Sequence, residues 1–241
     1  MSQPFRLNKE GLINRNKKIS FTFNGKKLFG YEGDTIASAL IANGIHLVGR
    51  SFKYHRPRGF FGAGVEEPNA KLQVEFNGHS EPNVNATEME LVEGLSATSQ
   101  NCWPSVNFDI GAINNFLKMF FPAGFYYKTF MWPKSFWYKI YEPFIRKAAG
   151  LGVASIEKDK ERYEHKFEYC DLLVTGSGPS GLASAYAAAK NGAKVILAED
   201  KPRFGGTLLT DDVSIDNLSG KDWAEKIITE LKSMPNVTVK N

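Results

Sequence analysis

Cysteine and histidine are scarce in this sequence. Its 241 residues include two cysteines, Cys102 and Cys170, which form no C-x-x-C pair, and four histidines, no two of which have the i, i+4 spacing of ligands on a helix. Disulfide scaffolds and zinc knuckles need more cysteine than this. We therefore expect two reduced, packed thiols in a cytoplasmic protein that has no metal site.

Long apolar runs and a dominant charge of one sign are also missing. The N-terminal residues MSQPFRLNKEG lack the apolar core of a signal peptide, and no stretch reaches the roughly 18 apolar residues that a membrane-spanning helix needs. The formal net charge is only +4, whereas nucleic-acid binders concentrate basic residues on one face or stripe. We expect neither a membrane nor a nucleic acid as partner, in a chain long enough for one or two domains.

The first regular pattern is a β-hairpin. ISFTF (19–23) alternates apolar and polar residues with the period of two that a strand requires. Asn24-Gly25 is a strong signal for a two-residue hairpin turn, and KKLFGY (26–31) supplies the returning strand.

A helix and a further strand follow this hairpin. EGDTIASALIANG (32–44) predicts a helix that Asp34 caps and Gly44 ends. AKLQVEF (70–76), before Asn77-Gly78, predicts another strand and turn. Strand, turn, strand and helix open a β-grasp, the fold of plant-type ferredoxins, which we place at residues 17–95 behind an N-terminal arm at 1–16.

Residues 96–168 differ in composition. From Phe116 to Phe144 there are 13 aromatic residues in 29 positions, and prolines at 122, 133 and 143 restrict the segment to short helices and turns. These rings either pack between two domains or form a surface for a partner subunit. Residues 157–168, EKDKERYEHKFE, carry nine charges of mixed sign and predict a solvated linker at a domain boundary.

A glycine-rich turn between two strands carries the strongest functional signal. DLLVT (171–175) reads as a strand, and Gly176, Gly178 and Gly181 follow it as G-x-G-x-x-G before an alanine-rich helix and a second strand, KVILA (194–198). In a dinucleotide site the first glycine permits a tight turn, the second lets the backbone approach a pyrophosphate, and the third lets the helix press against the sheet. Glycines that serve packing alone are the competing interpretation.

The predicted site extends from this turn to the end of the second strand. The helix N-terminus would face the phosphates, and Glu199 would accept hydrogen bonds from ribose hydroxyls, which disfavours the 2′-phosphate of NADP. The motif does not distinguish FAD from NAD. The candidate cofactor-binding residues are Gly176, Gly178, Pro179, Ser180, Gly181, Glu199, Asp200, Lys201, Gly205, Gly206 and Thr207.

Residues 169–241 predict three strands, because a helical pattern around Trp223 and a short VTV strand follow the glycine motif. A full doubly wound domain has roughly five or six strands. The fold class is therefore α+β followed by α/β: a ferredoxin-like β-grasp domain and the first half of a Rossmann-type domain. We expect a truncated subunit that, alone, binds a dinucleotide weakly and shows no turnover.

Four segments carry a family resemblance: GRSFKYHRPRGFFGAGVEEPN, PAGFYYKTFMWP, YEPFIRKAAGLG and VTGSGPSGLASA. Together, over about residues 10–241, they resemble the N-terminal portion of the alpha subunit of heterotetrameric sarcosine oxidase. That family is related to cyanide synthase and opine dehydrogenase subunits.

The resemblance implies an oxidoreductase subunit. It implies oxidative demethylation of sarcosine, or another N-methyl amino acid, to glycine, with tetrahydrofolate accepting the one-carbon unit. It further implies that substrate is oxidised at FAD on a beta-type flavin subunit and that FMN lies between the two subunits. Smaller subunits would complete the hetero-oligomer. The resemblance also implies that NAD is bound by Gly176, Gly178, Gly181 and Glu199. We assign no catalytic residue to this chain. A stand-alone FAD-dependent reductase and a non-enzymatic assembly module remain alternatives.

Related β-grasp domains bind a [2Fe–2S] cluster on C-x4-C-x2-C. The matching positions here are Phe61, Glu66 and Asn69, none of which offers a thiolate, so we expect no 2Fe-2S cluster. The basic loop from Arg50 to Arg58, just before them, is either a solvated surface or a contact for an acidic partner or an anionic cofactor.

Overall fold

The structure, a computed structural model, describes residues 3–9, 11–120, 124, 130, 132–150, 152–158 and 162–241. The chain divides into two compact units, Met1–Lys160 and Glu161–Asn241, each with its own hydrophobic core. Pro122 and most of the predicted segment PAGFYYKTFMWP lie outside the described residues.

The first unit is built on a five-stranded mixed sheet with one helix. Its elements are β1 (Asn14–Phe23), β2 (Lys26–Glu32), α1 (Ile36–Ala42), β3 (Gly49–Arg50), β4 (Pro57–Arg58), β5 (Lys71–Phe76), β6 (His79–Asn85) and β7 (Ser96–Ser99). The sheet order is β2-β1-β7-β5-β6, with β1 parallel to β7 and the other pairs antiparallel. Strands β3 and β4 form a separate antiparallel ribbon. Strand β7 lies just past residue 95, where we predicted the domain to end.

Both predicted hairpin turns are confirmed. Asn24 and Gly25 have φ values of 50° and 77° between β1 and β2, and Asn77 and Gly78 have 51° and 81° between β5 and β6. Asparagine and glycine tolerate positive φ at both turn positions, which matches the twist of the flanking strands. The apolar side chains of β1 and β5 thereby face α1 in one core.

The prediction that Asp34 caps α1 is wrong. Thr35 is the N-cap: its side chain accepts from the backbone of Ser38, and the Ser38 side chain accepts in return from the backbone of Thr35. Asp34 is buried one position earlier and forms an ion pair with Arg6. The tertiary contact with the N-terminal arm therefore decides the role of Asp34.

Within residues 110–149, the described parts of the aromatic-rich segment form short helical pieces, as predicted. These are a 3-10 turn (Ile110–Ala112), α2 (Ile113–Phe116), two more 3-10 turns (Lys118–Phe120, Lys134–Phe136), a π-helical turn (Trp137–Tyr141) and α3 (Glu142–Ala149). Phe116, Met119 and Phe120 are 84%, 86% and 77% exposed. Within the described residues, no helix is both long and apolar enough to cross a bilayer.

The second unit is a three-stranded parallel sheet with two long helices. Its elements are β8 (Leu172–Thr175), α4 (Pro179–Lys190), β9 (Val195–Ala198), a 3-10 turn (Gly206–Leu209), β10 (Ser214–Ile215), β11 (Leu218–Ser219), α5 (Gly220–Ser233) and β12 (Val237–Lys240). The sheet order is β12-β9-β8, and α4 and α5 pack on it and on each other. The carboxyl ends of β8 and β9 therefore lie side by side, which places Gly176 and Glu199 at one edge of the sheet.

Candidate functional site

The turn after β8 is open above its first two glycines. Gly176 has a φ of +91°, in the region that favours glycine, and its N–H donates to the carbonyl of Ala198 at 2.7 Å. Gly178 is extended and is the N-cap of α4. A Cβ added to either glycine would meet no heavy atom within 4 Å. Another molecule can therefore approach this backbone closely.

The third glycine of the motif serves close packing. A Cβ on Gly181 would lie 2.1 Å from the carbonyl oxygen of Gly176 and 3.4 Å from Cγ1 of Val174. Real Cβ atoms do not approach an oxygen so closely, so only glycine lets α4 lie this near the strand. The motif thus combines two open glycines with one that is required by packing.

The first turn of α4 presents backbone donors. No side-chain hydrogen bond caps the helix, Pro179 has no N–H, and the first intrahelical bond runs from the N–H of Leu182 to the carbonyl of Gly178 at 2.9 Å. The N–H groups of Ser180 and Gly181 precede that bond. Together with the helix dipole, they make this end of α4 favourable for a phosphate group.

Glu199 follows β9 and turns toward the glycine motif. Its Oε2 accepts from the N–H of Ser177 at 2.7 Å and from the Ser177 hydroxyl, and its Oε1 accepts from the N–H of Lys201 at 3.0 Å. Burial acts to raise the pKa of Glu199, but the hydrogen bonds, chiefly those from Ser177 and Lys201, outweigh it and hold the pKa below its ordinary value. An ionised carboxylate therefore lies beside the open turn.

The second glycine pair packs against the first. The N–H of Gly205 donates to both the carbonyl and the hydroxyl of Ser177 at 3.1 Å. Gly206 has a φ of +53°, and a Cβ there would lie 2.9 Å from Cα of Gly178. The loop after β9 therefore closes directly onto the G-x-G turn.

The structure brings the glycines of both turns and Glu199 together around Ser177, which the sequence motif did not single out. The reason is that the G-x-G-x-x-G pattern allows any residue at position 177. The signal that could have pointed to Ser177 is the presence there of a side chain that can form hydrogen bonds. The other candidates lie at the margin: Pro179 and Ser180 are in the first turn of α4, Asp200 and Lys201 form an ion pair at 3.5 Å, and Thr207 is exposed.

The loop of Phe61, Glu66 and Asn69 in the first unit is organised by carboxylates. Glu67 is 1% exposed and accepts four backbone N–H groups, from Phe61 (2.5 Å), Gly62 (2.6 Å), Asn69 (2.6 Å) and Ala70 (3.2 Å). Desolvation, the largest single effect, acts to raise the pKa of Glu67, but these donors together outweigh it and hold the pKa below its ordinary value. Glu66 accepts two further N–H groups from Ala63 and Gly64.

Much of the basic loop is bound to the chain itself. Nε of Arg50 donates to the carbonyl of Val106 at 2.8 Å, and Nδ1 of His55 lies 2.6 Å from Oδ2 of Asp109. Nε of Arg56 donates to Oδ1 of Asn115 at 2.9 Å. These contacts tie the loop to residues 106–115, so structural packing explains at least three of its basic residues.

Part of each unit matches the model of a known family. Residues 16–102 match the family model of a 2Fe-2S iron-sulfur cluster binding domain, and residues 171–233 match that of FAD dependent oxidoreductases. The sarcosine oxidase subunit alpha of Rhizobium meliloti (strain 1021) is 57% identical over 235 residues, which are 98% of this chain and 24% of that protein. The chain is homologous to the N-terminal part of sarcosine oxidase alpha subunits.

A second relative and a solved structure also resemble the chain. The sarcosine oxidase subunit alpha of Corynebacterium sp. (strain U-96) is 31% identical over 99% of this chain and 20% of that protein. The chain thus spans a quarter or less of the length of these two sarcosine oxidase relatives. The crystal structure of L-proline dehydrogenase from P. horikoshii superposes with a TM-score of 0.53 over 99% of this chain and 35% of that chain, at 19% identity, which shows a shared fold.

These matches overturn the cofactor set expected from the sequence. We predicted NAD and no 2Fe-2S cluster, but the first unit matches a cluster-binding family and the second matches FAD dependent oxidoreductases. The prediction was wrong because it inferred the cofactors from three loop positions and a family likeness. Glycine motifs of this kind suit an ADP moiety, which FAD and NAD share.

The two cofactors fit the described residues differently. The open glycine turn, the uncapped helix end and the Glu199 carboxylate fit a dinucleotide. The loop of Phe61, Glu66 and Asn69 offers no thiolate, and among the residues that the structure describes, no group of three histidine, cysteine, aspartate or glutamate side chains could hold a metal ion. The donor set therefore does not fit an iron–sulfur cluster, and no step below depends on one.

Proposed function

We propose that residues 169–241 form the first half of a Rossmann-type domain that binds the ADP half of FAD in an oxidoreductase subunit of the sarcosine oxidase type. One arrangement carries this proposal: the turn at Gly176 and Gly178 is open to a ligand, and the ionised carboxylate of Glu199 lies beside it. The match to FAD dependent oxidoreductases covers the same residues.

In this proposal, different residues contact different parts of the dinucleotide. Gly176 and Gly178 admit the diphosphate, and the backbone N–H groups of Ser180 and Gly181 face it from the start of α4. Glu199 accepts from the ribose hydroxyls. Gly205, Gly206 and Thr207 form the wall opposite the first turn, and Asp200 and Lys201 flank the ribose end. FAD, when bound, would supply a flavin that is capable of two-electron transfer.

The proposed reaction is inferred from the sarcosine oxidase relatives. Sarcosine, water and oxygen would give glycine, formaldehyde and hydrogen peroxide, or the one-carbon unit would pass to tetrahydrofolate. We assign this chemistry to a beta-type flavin subunit, because we assign no catalytic residue to this chain. The role of this chain is to bind the dinucleotide and to hold the complex together.

Exposed apolar side chains are evidence for the partner subunits in this proposal. Phe116, Met119 and Phe120 are each more than three-quarters exposed within eleven residues that begin at Ile110. Aromatic residues and methionine are enriched in the cores of protein interfaces. A pure assembly module would show the same surface, so binding of the dinucleotide separates the two hypotheses.

A titration of FAD into the chain, followed by quenching of flavin fluorescence, tests the proposal. We expect saturable binding that ADP competes away, and at least tenfold weaker competition by ADP carrying a 2′-phosphate, which the Glu199 carboxylate repels. A variant with Gly178→Val should lose binding, while Ala183→Val, at an exposed position of α4, should keep it. Saturable FAD binding that Gly178→Val leaves intact would contradict the assignment.

A further inference from the structure

Ser177 links the three segments that make up the dinucleotide site. It is fully buried, at 0% exposure, between the two open glycines. Its hydroxyl donates to Oε2 of Glu199, and the same oxygen accepts the N–H of Gly205 at 3.1 Å. The turn after β8, the end of β9 and the second glycine pair are therefore joined through one side chain.

The direction of these hydrogen bonds follows from their chemistry. A serine hydroxyl has one proton, and an ionised carboxylate accepts it more strongly than a neutral group does. The backbone N–H of Gly205 can only donate, so the chain runs from Gly205 through Ser177 to Glu199. Each bond in such a chain polarises the next, which strengthens the hold on the carboxylate.

Counting acceptor positions shows which oxygen of Glu199 is left for a ligand. Each carboxylate oxygen accepts about two hydrogen bonds. Both positions on Oε2 are taken by the N–H and the hydroxyl of Ser177, whereas Oε1 accepts the N–H of Lys201, and the Asp200 side chain also interacts with Glu199. Oε1 thus keeps one acceptor position for a ribose hydroxyl.

We propose that Ser177 is a positioning residue that fixes the Glu199 carboxylate so that Oε1 recognises the ribose hydroxyls of the dinucleotide. This inference rests on the proposed function and goes beyond it, because it assigns ribose specificity to a residue at a variable position of the glycine pattern. Without the hydroxyl, the Glu199 side chain would keep the backbone bonds of Ser177 and Lys201 but lose one of the two hydrogen bonds that fix Oε2.

Ser177→Ala is a clean test, because it removes a single side-chain contact from Glu199. The N–H of Gly205 keeps its bond to the Ser177 carbonyl at 3.1 Å, and the N–H of residue 177 still donates to Glu199. No buried backbone donor is therefore left without a partner. Ser233→Ala serves as the control, since that hydroxyl donates to the carbonyl of Glu230 near the end of α5.

The experiment measures dissociation constants of ADP and of 2′,3′-dideoxy-ADP for the chain by equilibrium dialysis or ligand-observed NMR. We expect the unmodified chain and Ser233→Ala to prefer ADP by about tenfold, the worth of one hydrogen bond to a charged group. Ser177→Ala should bind dideoxy-ADP unchanged and prefer ADP by only about twofold. Glu199→Ala should abolish the preference, and adding Ser177→Ala to it should have no further effect on either ligand.

Three outcomes would overturn the inference. If Ser177→Ala keeps the tenfold preference, Ser177 does not position Glu199. If it weakens both ligands equally, its role is general packing. If the unmodified chain binds neither ligand nor FAD, the proposed function fails and the inference fails with it, a result that differs from both of the others.

Discussion

Gly181 packs directly against the carbonyl of Gly176, so that a Cβ on Gly181 would lie 2.1 Å from that oxygen, while Gly178 between them faces open space. Two glycines of one motif thus differ in their surroundings: Gly181 is closely packed, and Gly178 is open. One is needed by the fold and the other by the ligand, so substitutions can separate the two requirements.

Alanine at these two positions should therefore give different phenotypes. Gly181→Ala should destabilise the second unit by roughly 1–3 kcal/mol, because the added methyl group overpacks the contact between α4 and β8. Gly178→Ala should leave the unfolding midpoint nearly unchanged, since its φ of −63° suits alanine, but should weaken FAD binding at least tenfold. Thermal unfolding and FAD titration on both variants check this, and equal loss of stability in both would contradict it.

Binding of the dinucleotide should depend on pH through Glu199. The pKa of this group lies below the ordinary 4.5, so the carboxylate is ionised at neutral and mildly acidic pH. We expect the affinity for FAD, which has no terminal phosphate to titrate in this range, to be constant above about pH 5 and to fall as the pH drops below 4.5 through the lowered pKa. Glu199→Gln should bind about tenfold more weakly at neutral pH and lose this acid-dependent step, with circular dichroism confirming that both proteins remain folded.

Glu67 should stabilise the first unit in a pH-dependent way. Its pKa is lowered in the folded protein, so the stabilisation is complete above the ordinary value of 4.5 and is lost as the pH falls through the folded-state pKa. Glu67→Gln should lower the free energy of unfolding at pH 7 by about 3 kcal/mol, because the amide cannot accept from four N–H groups.

Urea unfolding at pH 7 and at pH 4 measures the Glu67 effect. The variant should be less sensitive to this change of pH than the unmodified chain. Glu81→Gln, at an exposed position of β6, is the matched control and should change stability little. An unaltered pH dependence in Glu67→Gln would show that other carboxylates cause it.

The buried ion pair of Arg6 and Asp34 should matter far more than an exposed one. Nη2 of Arg6 lies 2.7 Å from Oδ2 of Asp34, and the side chains are 13% and 1% exposed. Arg6→Ala leaves a buried carboxylate without its cation and should cost about 3 kcal/mol. Lys17→Ala breaks the Lys17–Glu32 pair, whose side chains are 64% and 43% exposed, and should cost at most about 1 kcal/mol. Similar costs in urea unfolding would contradict this explanation.

Local patterns were predicted well wherever the chain's own neighbours decide the structure. Alternation of apolar and polar residues, together with the positions of proline and glycine, predicted three features. These are the two Asn-Gly turns, the short helices within residues 110–149 and the strand–turn–helix that begins at Leu172. Asp34 was mispredicted because its side chain responds to Arg6, which lies 28 positions away. Capping chemistry alone favoured aspartate, but the buried pair was the stronger interaction.

The cofactor prediction was also limited by contacts that the sequence pattern does not show. Phe61, Glu66 and Asn69 indicated that thiolates are missing, but they did not reveal that Glu67 gathers four backbone N–H groups from the same loop. The G-x-G-x-x-G spacing predicted an ADP site without distinguishing FAD from NAD, because both ligands present the same half to the turn. The assignment of the site residues to a bound dinucleotide stays a prediction.

The sequence by itself determined the two hairpin turns, helix α1, the strand–turn–helix at Leu172 and the spacing that brings a glycine turn and an acidic residue to the ends of neighbouring strands. These features depend on backbone preferences and on a repeat of two or 3.6 residues, which neighbours along the chain express. The tertiary structure decided which side chains meet: Arg6 with Asp34, Glu67 with its own loop, and Ser177 with Glu199 and Gly205. Such contacts join segments far apart in sequence or depend on the path of a loop, so their geometry exists only once the chain has folded.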